Sequence, residues 1–340
     1  MIRIVGDCNF ADGFFDIGCG VGSHIASGKD PFGCLNILPD DFWIGNFECV
    51  ASTVSNNNDI HSQYFRIEPS ILGRFRHLNL YGVANNHVMQ HGPDAYKEML
   101  STIDSLGSAY VGSDKRRSIT FTHQGKHVSV VAFNQRPENF SKQPLYWAMP
   151  EYYEIATELK SLKESDFKIV YVHWGNEFMM SPYNDQIQFA HFLIDNGADL
   201  IIGMHPHVLQ GAEEYKGKWI FYSIGNCVFK MAWRPTRYSI RVNVDLSTHI
   251  PKITYDYLEL DPTTGFPHLA QRVPDPFSIP KLSNLVSLEI ENEKYYSNVI
   301  ANISKYQKAN RVHFLNDILK LKPSVAKAII YDFFQRRRKK

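Results

Sequence analysis

The stretch Val83-Ala-Asn-Asn-His-Val-Met-Gln-His-Gly92 decides how this chain is read. It leaves a short apolar run, Leu78–Val83, that predicts a strand. It then presents two amides and an imidazole, and turns into a helix predicted over Pro93–Leu106. The same construction recurs on both sides. Toward the N-terminus, predicted strands at Ile2–Val5 and Phe42–Ile44 run into Gly6-Asp7 and Gly45-Asn-Phe-Glu48. Toward the C-terminus, Lys168–Val172 runs into His173-Trp-Gly175, and Leu200–Ile202 runs into Gly203-Met-His-Pro-His207. Ser129–Phe133 and Trp219–Ser223 extend the strand series, and helices are predicted over Tyr152–Glu164 and Asp185–Asn196. Such alternation predicts an α/β fold whose reactive loops lie beyond the strand ends.

Five segments thus place oxygen and imidazole donors directly after strands, and no Cys-x-x-Cys pair occurs anywhere. Mixed carboxylate, amide and imidazole donors suit a hydrolytic divalent metal better than a structural zinc. The glycines beside the donors are expected to let the backbone turn sharply at each strand end. His205 and His207 alternate across a strand end, which by itself would send them to opposite faces, but Pro206 breaks that alternation. His91 reads as an exposed residue at a helix start, Trp174 as packing, and Asn226 as either a site residue or a turn former after Gly225.

The order Gly-Asp, Asn-x-Glu, Asn-Asn-His, His-Trp-Gly-x-Glu, His-Pro-His and Tyr-Ser-x-Gly-Asn, the last at Tyr222–Asn226, resembles the CapA family of bacterial capsule and poly-γ-glutamate synthesis proteins. That family is itself similar to the calcineurin-like metallophosphatases, and the likeness runs from Ile4 to about Phe229. The resemblance implies a four-layer αββα sandwich carrying one or two divalent ions, Mn, Zn or Fe. Asp7 and His207 would serve one ion, Glu48 would bridge, and Asn86, His173 and His205 would serve the other. His87 would be free to hydrogen-bond the substrate or protonate a leaving oxygen. Glu177 joins it in the catalytic set as a carboxylate that orients a ligand imidazole, with a salt-bridged loop residue as the even alternative. One departure stands out. The phosphatase pattern opens Asp-x-His, whereas this chain reads Asp7-Cys8-Asn9, which weakens the first metal position.

The 340 residues are 44% hydrophobic and 21% charged, and 36 basic residues against 35 acidic ones leave a net charge of +1. These figures describe an ordinary globular chain and exclude collagen-like, coiled-coil and disordered classes. Residues 1–260 are read as the α/β body. A connector follows at 261–283, where Pro262, Pro267, Pro274, Pro276 and Pro280 rule out a central strand, and 284–340 is read as a helical appendage. Gln335-Arg-Arg-Arg-Lys-Lys340 gives that appendage a basic tail behind Tyr331, Phe333 and Phe334, read first as a solvated helix end, with peripheral contact with an anionic membrane as the alternative. Elsewhere basic residues do not cluster, so nucleic acid is excluded as a partner. No apolar run approaches the roughly 20 residues that a bilayer requires. Five scattered cysteines predict free thiols in a reducing compartment, so a cytoplasmic location is expected, peripheral to the inner face of the membrane. The expected role is a metal-dependent hydrolase or transferase, acting first on phosphoesters, in capsule, envelope polysaccharide or poly-γ-glutamate biosynthesis. Its partners would be a glycan-phosphate or polyanionic precursor and other envelope-biosynthesis enzymes. A non-catalytic metal-binding assembly factor and an amide or ester hydrolase on the same polymers stand as alternatives.

Overall fold

The computed structural model describes residues 1–75, 77–286 and 290–338. The strands of its first half are β1 (Ile2–Cys8), β2 (Phe42–Phe47), β3 (Val50–Ala51), β4 (Arg66–Ile67), β5 (Leu80–Gly82), β6 (Ala109–Val111), β7 (Ser118–His123) and β8 (Lys126–Asn134). Then follow β9 (Phe167–His173), β10 (Leu200–Met204), β11 (Ala212–Tyr215), β12 (Lys218–Phe221), β13 (Asn226–Val228), β14 (Tyr238–Asp245), β15 (Lys252–Leu260) and β16 (Pro267–Ala270). The helices are α1 (Val21–Ala26), α2 (Pro69–Leu72), α3 (Pro93–Ser105), α4 (Tyr152–Ser161), α5 (Asn184–Asp195), α6 (Ile279–Ser283), α7 (Asn292–Asp317) and α8 (Pro323–Arg338).

Two mixed sheets carry the body. The first runs β16-β15-β14-β1-β2-β5-β6, with β13 alongside β1; the second runs β11-β12-β10-β9-β8-β7. Their central strands are parallel and buried on both faces, which is why they read as continuous apolar runs instead of alternating ones. Period-two alternation then sorts each strand between layers. Ile2, Ile4 and Ile44 of the first sheet meet Val128, Val130, Ile169 and Ile202 of the second, forming the middle of the sandwich. Trp43 and Tyr81 face the opposite way, against Val21 and Ile25 of α1 and Tyr96 and Met99 of α3. Val131, Val170 and Ile201 face Ile155 of α4 and Phe189 and Leu193 of α5. Helix, sheet, sheet and helix make four αββα layers.

The outer hairpins carried a weaker signal in the sequence. The strands β7 and β8 are joined by Gln124-Gly125, with φ of 50° and 74°, and β11 and β12 by Lys216-Gly217, with φ of 51° and 73°. Both central residues of each turn occupy the left-handed region, as in type I′ hairpins, but without the Asn or Asp that usually announces one. The stretch 261–283, expected as a connector, is instead built into the body. Pro267 opens β16 at the sheet edge, a position that tolerates a missing N–H, and Val273, Ile279 and Leu282 join the inter-sheet core. Proline excluded a central strand there, not an edge strand.

Helices α7 and α8 form the appendage and rest on the loops around the strand ends. Leu321 and Ile329 pack on Ile17 and Ile60, and His61 Nε2 lies 3.2 Å from Asp332 Oδ1. Tyr306 of α7 stacks on Phe178 at 4.3 Å between ring centroids, and Asn302 Nδ2 donates to the Phe178 carbonyl at 3.0 Å. No helix among the described residues is long and apolar enough to cross a membrane. The tail ends at Lys339 and Lys340, which lie outside the described residues.

Candidate metal centre

Strands β1, β2 and β5 are neighbours in the first sheet and β9 and β10 in the second. The C-terminal ends of all five converge. Asp7 stands near the end of β1, Glu48 directly follows β2, Asn85–His87 follow β5, His173 ends β9, and His205–His207 follow β10. Every one of these donors except His87 is buried. Two groups emerge, Asp7 with Glu48 and His207, and Glu48 with His173 and His205, each with ligand atoms within 4.8 Å of one another. Glu48 belongs to both. Asn86 joins the second group, its Oδ1 lying 2.9 Å from His173 Nε2, which is itself 3.0 Å from His205 Nδ1.

Gly175, beside His173, turns the chain as expected with φ of 78°, whereas Gly6 and Gly203 act differently. Neither Gly6 nor Gly203 has a positive φ. A Cβ on Gly6 would sit 1.8 Å from the Gly225 carbonyl oxygen, and one on Gly203 would sit 2.1 Å from that of Tyr222. Both glycines exist so that a neighbouring strand can pass close by. After β10 the turning is done by the histidines themselves. His205 has φ of 94° and His207 φ of 57°, so both side chains escape strand alternation and enter the site. Such backbone costs about 1–3 kcal/mol per residue and persists only where surroundings hold it. Here the His205 N–H donates to Asp7 Oδ2 at 3.1 Å.

A layer of amides orients the donors. Asn46 Nδ2 donates to Asp7 Oδ1 at 2.7 Å, and Asn85 Nδ2 donates in turn to Asn46 Oδ1 at 3.1 Å. Asn226 gives its Nδ2 hydrogens to the carbonyls of His207 and Thr236, so its Oδ1, 2.9 Å from His207 Nδ1, must accept. That places the His207 proton on Nδ1 and leaves Nε2 bare, 3.7 Å from Glu48 Oε1. Asn226 therefore serves the site. Trp174 does not; its Nε1 donates to the Tyr222 carbonyl at 2.8 Å, a packing role as expected. Asn9 is likewise occupied elsewhere: its Oδ1 accepts from Ala11 N–H at 2.9 Å and bends the chain at the end of β1. Glu177 lies half-buried in the loop after β9, near enough for its charge to act on Glu48.

Burial dominates the electrostatics. It pushes the Asp7 carboxyl up, and it pushes Glu48 far up, helped by the charges of Asp7 and Glu177. It holds His173 and His205 well below the ordinary imidazole range, with neighbouring rings and Arg136 adding to the effect. Glu48 Oε1 and Oε2 and His205 Nε2 are buried without a hydrogen-bond partner. Neutral imidazoles with free lone pairs beside unpartnered carboxylate oxygens are a poor arrangement by themselves and a good one around a divalent cation. The donor set fits such an ion.

His91 departs from expectation, for it is buried, with its Nε2 donating to the Tyr64 carbonyl at 2.9 Å and its Nδ1 2.8 Å from Ser55 Oγ. It pins the 55–58 loop to the turn after His87. Burial pushes it from 6.5 to about 4, against the Tyr64 bond and aided by Arg66. A histidine near 6.5 in the unfolded chain and near 4 when folded binds its proton first in the unfolded state. Its contribution to stability is therefore lost as pH falls from about 6.5 to about 4. His91→Gln should lose less stability than the unmodified protein between pH 7 and pH 5, by about 2 kcal/mol in denaturant titrations. Identical losses would mean that His91 is not buried as a neutral ring.

Residues 2–231 match the family described as "Bacterial capsule synthesis protein PGA_cap". The PGA biosynthesis protein CapA of Bacillus subtilis (strain 168) is 32% identical over 220 residues, covering 61% of this chain and 58% of that protein. The capsule biosynthesis protein CapA of Bacillus anthracis is 30% identical over 190 residues, covering 51% and 44% respectively, so the match spans about half the length of these relatives. A putative 5'-nucleotidase from Staphylococcus aureus, of known structure, aligns over 88% of this chain and 58% of its own at a TM-score of 0.44 and 12% identity. With two-thirds of its length matched and the Asp7 to Asn226 constellation in place, the chain belongs to the PGA_cap family of bacterial capsule synthesis proteins.

Proposed function

We propose that this protein is a metal-dependent hydrolase or transferase acting on phosphoesters of capsule, envelope-polysaccharide or poly-γ-glutamate precursors. The observation that carries this reading is Glu48, shared by two buried donor groups and left with both oxygens unpartnered. Asp7, Glu48 and His207 would hold one ion, and Glu48, Asn86, His173 and His205 a second; manganese, zinc or iron suits the set. Bound there, a divalent ion supplies Lewis acidity and lowers the pKa of water toward about 7. The chain supplies the rest. Asn46 and the His205 N–H hold Asp7, Asn226 fixes the His207 tautomer, and Gln90 with Phe65 holds His87 at the mouth of the site.

The second reading is a non-catalytic metal-binding assembly factor. Asn9 favours it, since the residue in place of a ligand histidine is spent on Ala11 and the first donor group stays small. The test is metal analysis of protein purified without chelator, followed by phosphoester and acyl substrates with added Mn, Zn, Fe or Co. At least one ion per chain and metal-stimulated phosphoester cleavage are expected. Metal without turnover would establish the assembly factor, cleavage confined to acyl substrates would establish the amide or ester hydrolase, and a chain without metal would overturn the whole site reading.

A further inference from the structure

The strand next to β9 brings a cation to this same sheet end. Asn134 closes β8 beside His173 in the ladder. Its Oδ1 accepts from Arg136 N–H at 3.0 Å, and its Nδ2 donates to the Arg136 carbonyl at 3.0 Å, so one side chain grips both ends of the residue. Gln135 N–H donates to the His173 carbonyl at 2.8 Å, tying the turn to the strand that bears the donor. Arg136 is half-buried, and its Nη1 donates to Asn176 Oδ1 at 3.2 Å, three residues beyond His173. Among the described residues it forms no ion pair. The acid nearest in sequence, Glu138, is occupied by the Phe140 N–H and the Tyr146 hydroxyl. Phe140, on the same loop, reaches within 6.1 Å of the His87 ring. The loop thus borders the donor cluster with a guanidinium at one point and an aromatic ring at another.

An arginine held at its backbone, steadied by a neutral amide and left without a carboxylate keeps most of its five N–H donors available. A planar fork of that kind matches an oxyanion in two-point contact.

We propose that Arg136, steadied by Asn176, is the oxyanion-binding residue of this site and orients a phosphate or carboxylate group of the substrate against the donor cluster. The proposal rests on the hydrolase reading for what that anion undergoes, whereas the anion site itself can be tested separately. The full chain, as purified and after manganese addition, is titrated calorimetrically with inorganic phosphate and with glutarate. Arg136→Gln should weaken binding about 10- to 30-fold at unchanged metal content and melting temperature, as loss of a charged hydrogen-bond donor predicts. Arg136→Lys should recover only part, because it restores the charge without the fork. Asn176→Asp leaves Arg136 in place but pairs it with a carboxylate, and should weaken binding comparably. Loss confined to phosphate or to glutarate identifies which oxyanion the site takes. Equal affinity in Arg136→Gln, no anion binding by the unmodified protein, or a matching loss of metal would overturn the proposal. Arg136-dependent anion binding in a chain that takes up no metal would sink the hydrolase reading and leave the anion site standing.

Discussion

Glu48→Gln should lower divalent-metal affinity at least 100-fold and at the same time make the metal-free protein harder to melt. The two effects have one cause. Glu48 Oε1 lies 3.7 Å from His207 Nε2, 3.8 Å from His173 Nε2 and 3.9 Å from His87 Nε2, at the centre of the cluster. Both of its oxygens are buried without a hydrogen bond, and the charges of Asp7 and Glu177 oppose its ionisation. Without a cation this carboxyl is a burden on the fold, of about 1–3 kcal/mol for an unsatisfied buried group. Around a cation it is the donor common to both groups. Glutamine keeps the shape, removes the charge and leaves a single neutral oxygen donor. Its effect should exceed the roughly 10- to 100-fold loss typical of residues that only orient ligands. Metal titration, and melting with and without chelator, read the two effects separately. Unchanged metal affinity would remove Glu48 from the ligand set, and a lower melting point for the metal-free variant would show that it has structural partners.

His87→Ala should cut turnover by about 10²–10⁴-fold, the usual contribution of a positioned proton-handling group, while metal content stays constant. The His87 ring stacks on Phe65 at 4.0 Å with the planes 5° apart, and its Nδ1 lies 2.9 Å from Gln90 Oε1. With that oxygen accepting, the proton sits on Nδ1 and Nε2 turns a lone pair toward Glu48. Burial pushes this histidine down to about 4, against the Gln90 bond, so it is neutral at pH 7. That favours accepting a hydrogen bond at Nε2 over protonating a leaving oxygen. Steady-state rates on any substrate found in the phosphoester panel, set beside metal content, decide the point. Parallel loss of metal and rate would make His87 a ligand, and an unaltered rate would take it out of the reaction.

The donor cluster was legible in the sequence because its residues stand in short, regular segments immediately after apolar strands, where local patterning and spatial position coincide. Central strands were legible as continuous apolar runs, Ser129–Phe133 inside β8 and Lys168–Val172 inside β9. What orients the cluster was harder to read. Asn46 sat inside the quoted Gly-Asn-Phe-Glu segment, yet only the pairing of β1 with β2 brings its amide to Asp7. Arg136 follows a strand end that carries no donor motif, and nothing local distinguishes it from a solvated loop arginine; its position depends on β8 lying beside β9. His91 looked exposed because the loop that covers it, around Ser55, is remote in sequence. Asn9 was read only by its place in the Asp-x-His pattern, whereas its own side chain is spent bending the chain there. For Asn46, Arg136 and His91 the missing information was which strand or loop lies alongside.

The central place of β1 has a consequence for the order in which a nascent chain can fold. Its edge facing β2 is covered early, but its other edge waits for β13 and β14, at the far end of the body. At about 5–20 residues added per second, the ribosome leaves that edge open for roughly 10–50 s. During that interval a row of unpaired backbone groups in an apolar strand is exposed, the kind of surface that holding chaperones cover. The emerging polypeptide already contains Asp7, Glu48 and Asn86, while His205 and His207 are still to be translated. An ion held by these donors would therefore be completely enclosed only late, once β10 and the two histidines behind it have been made.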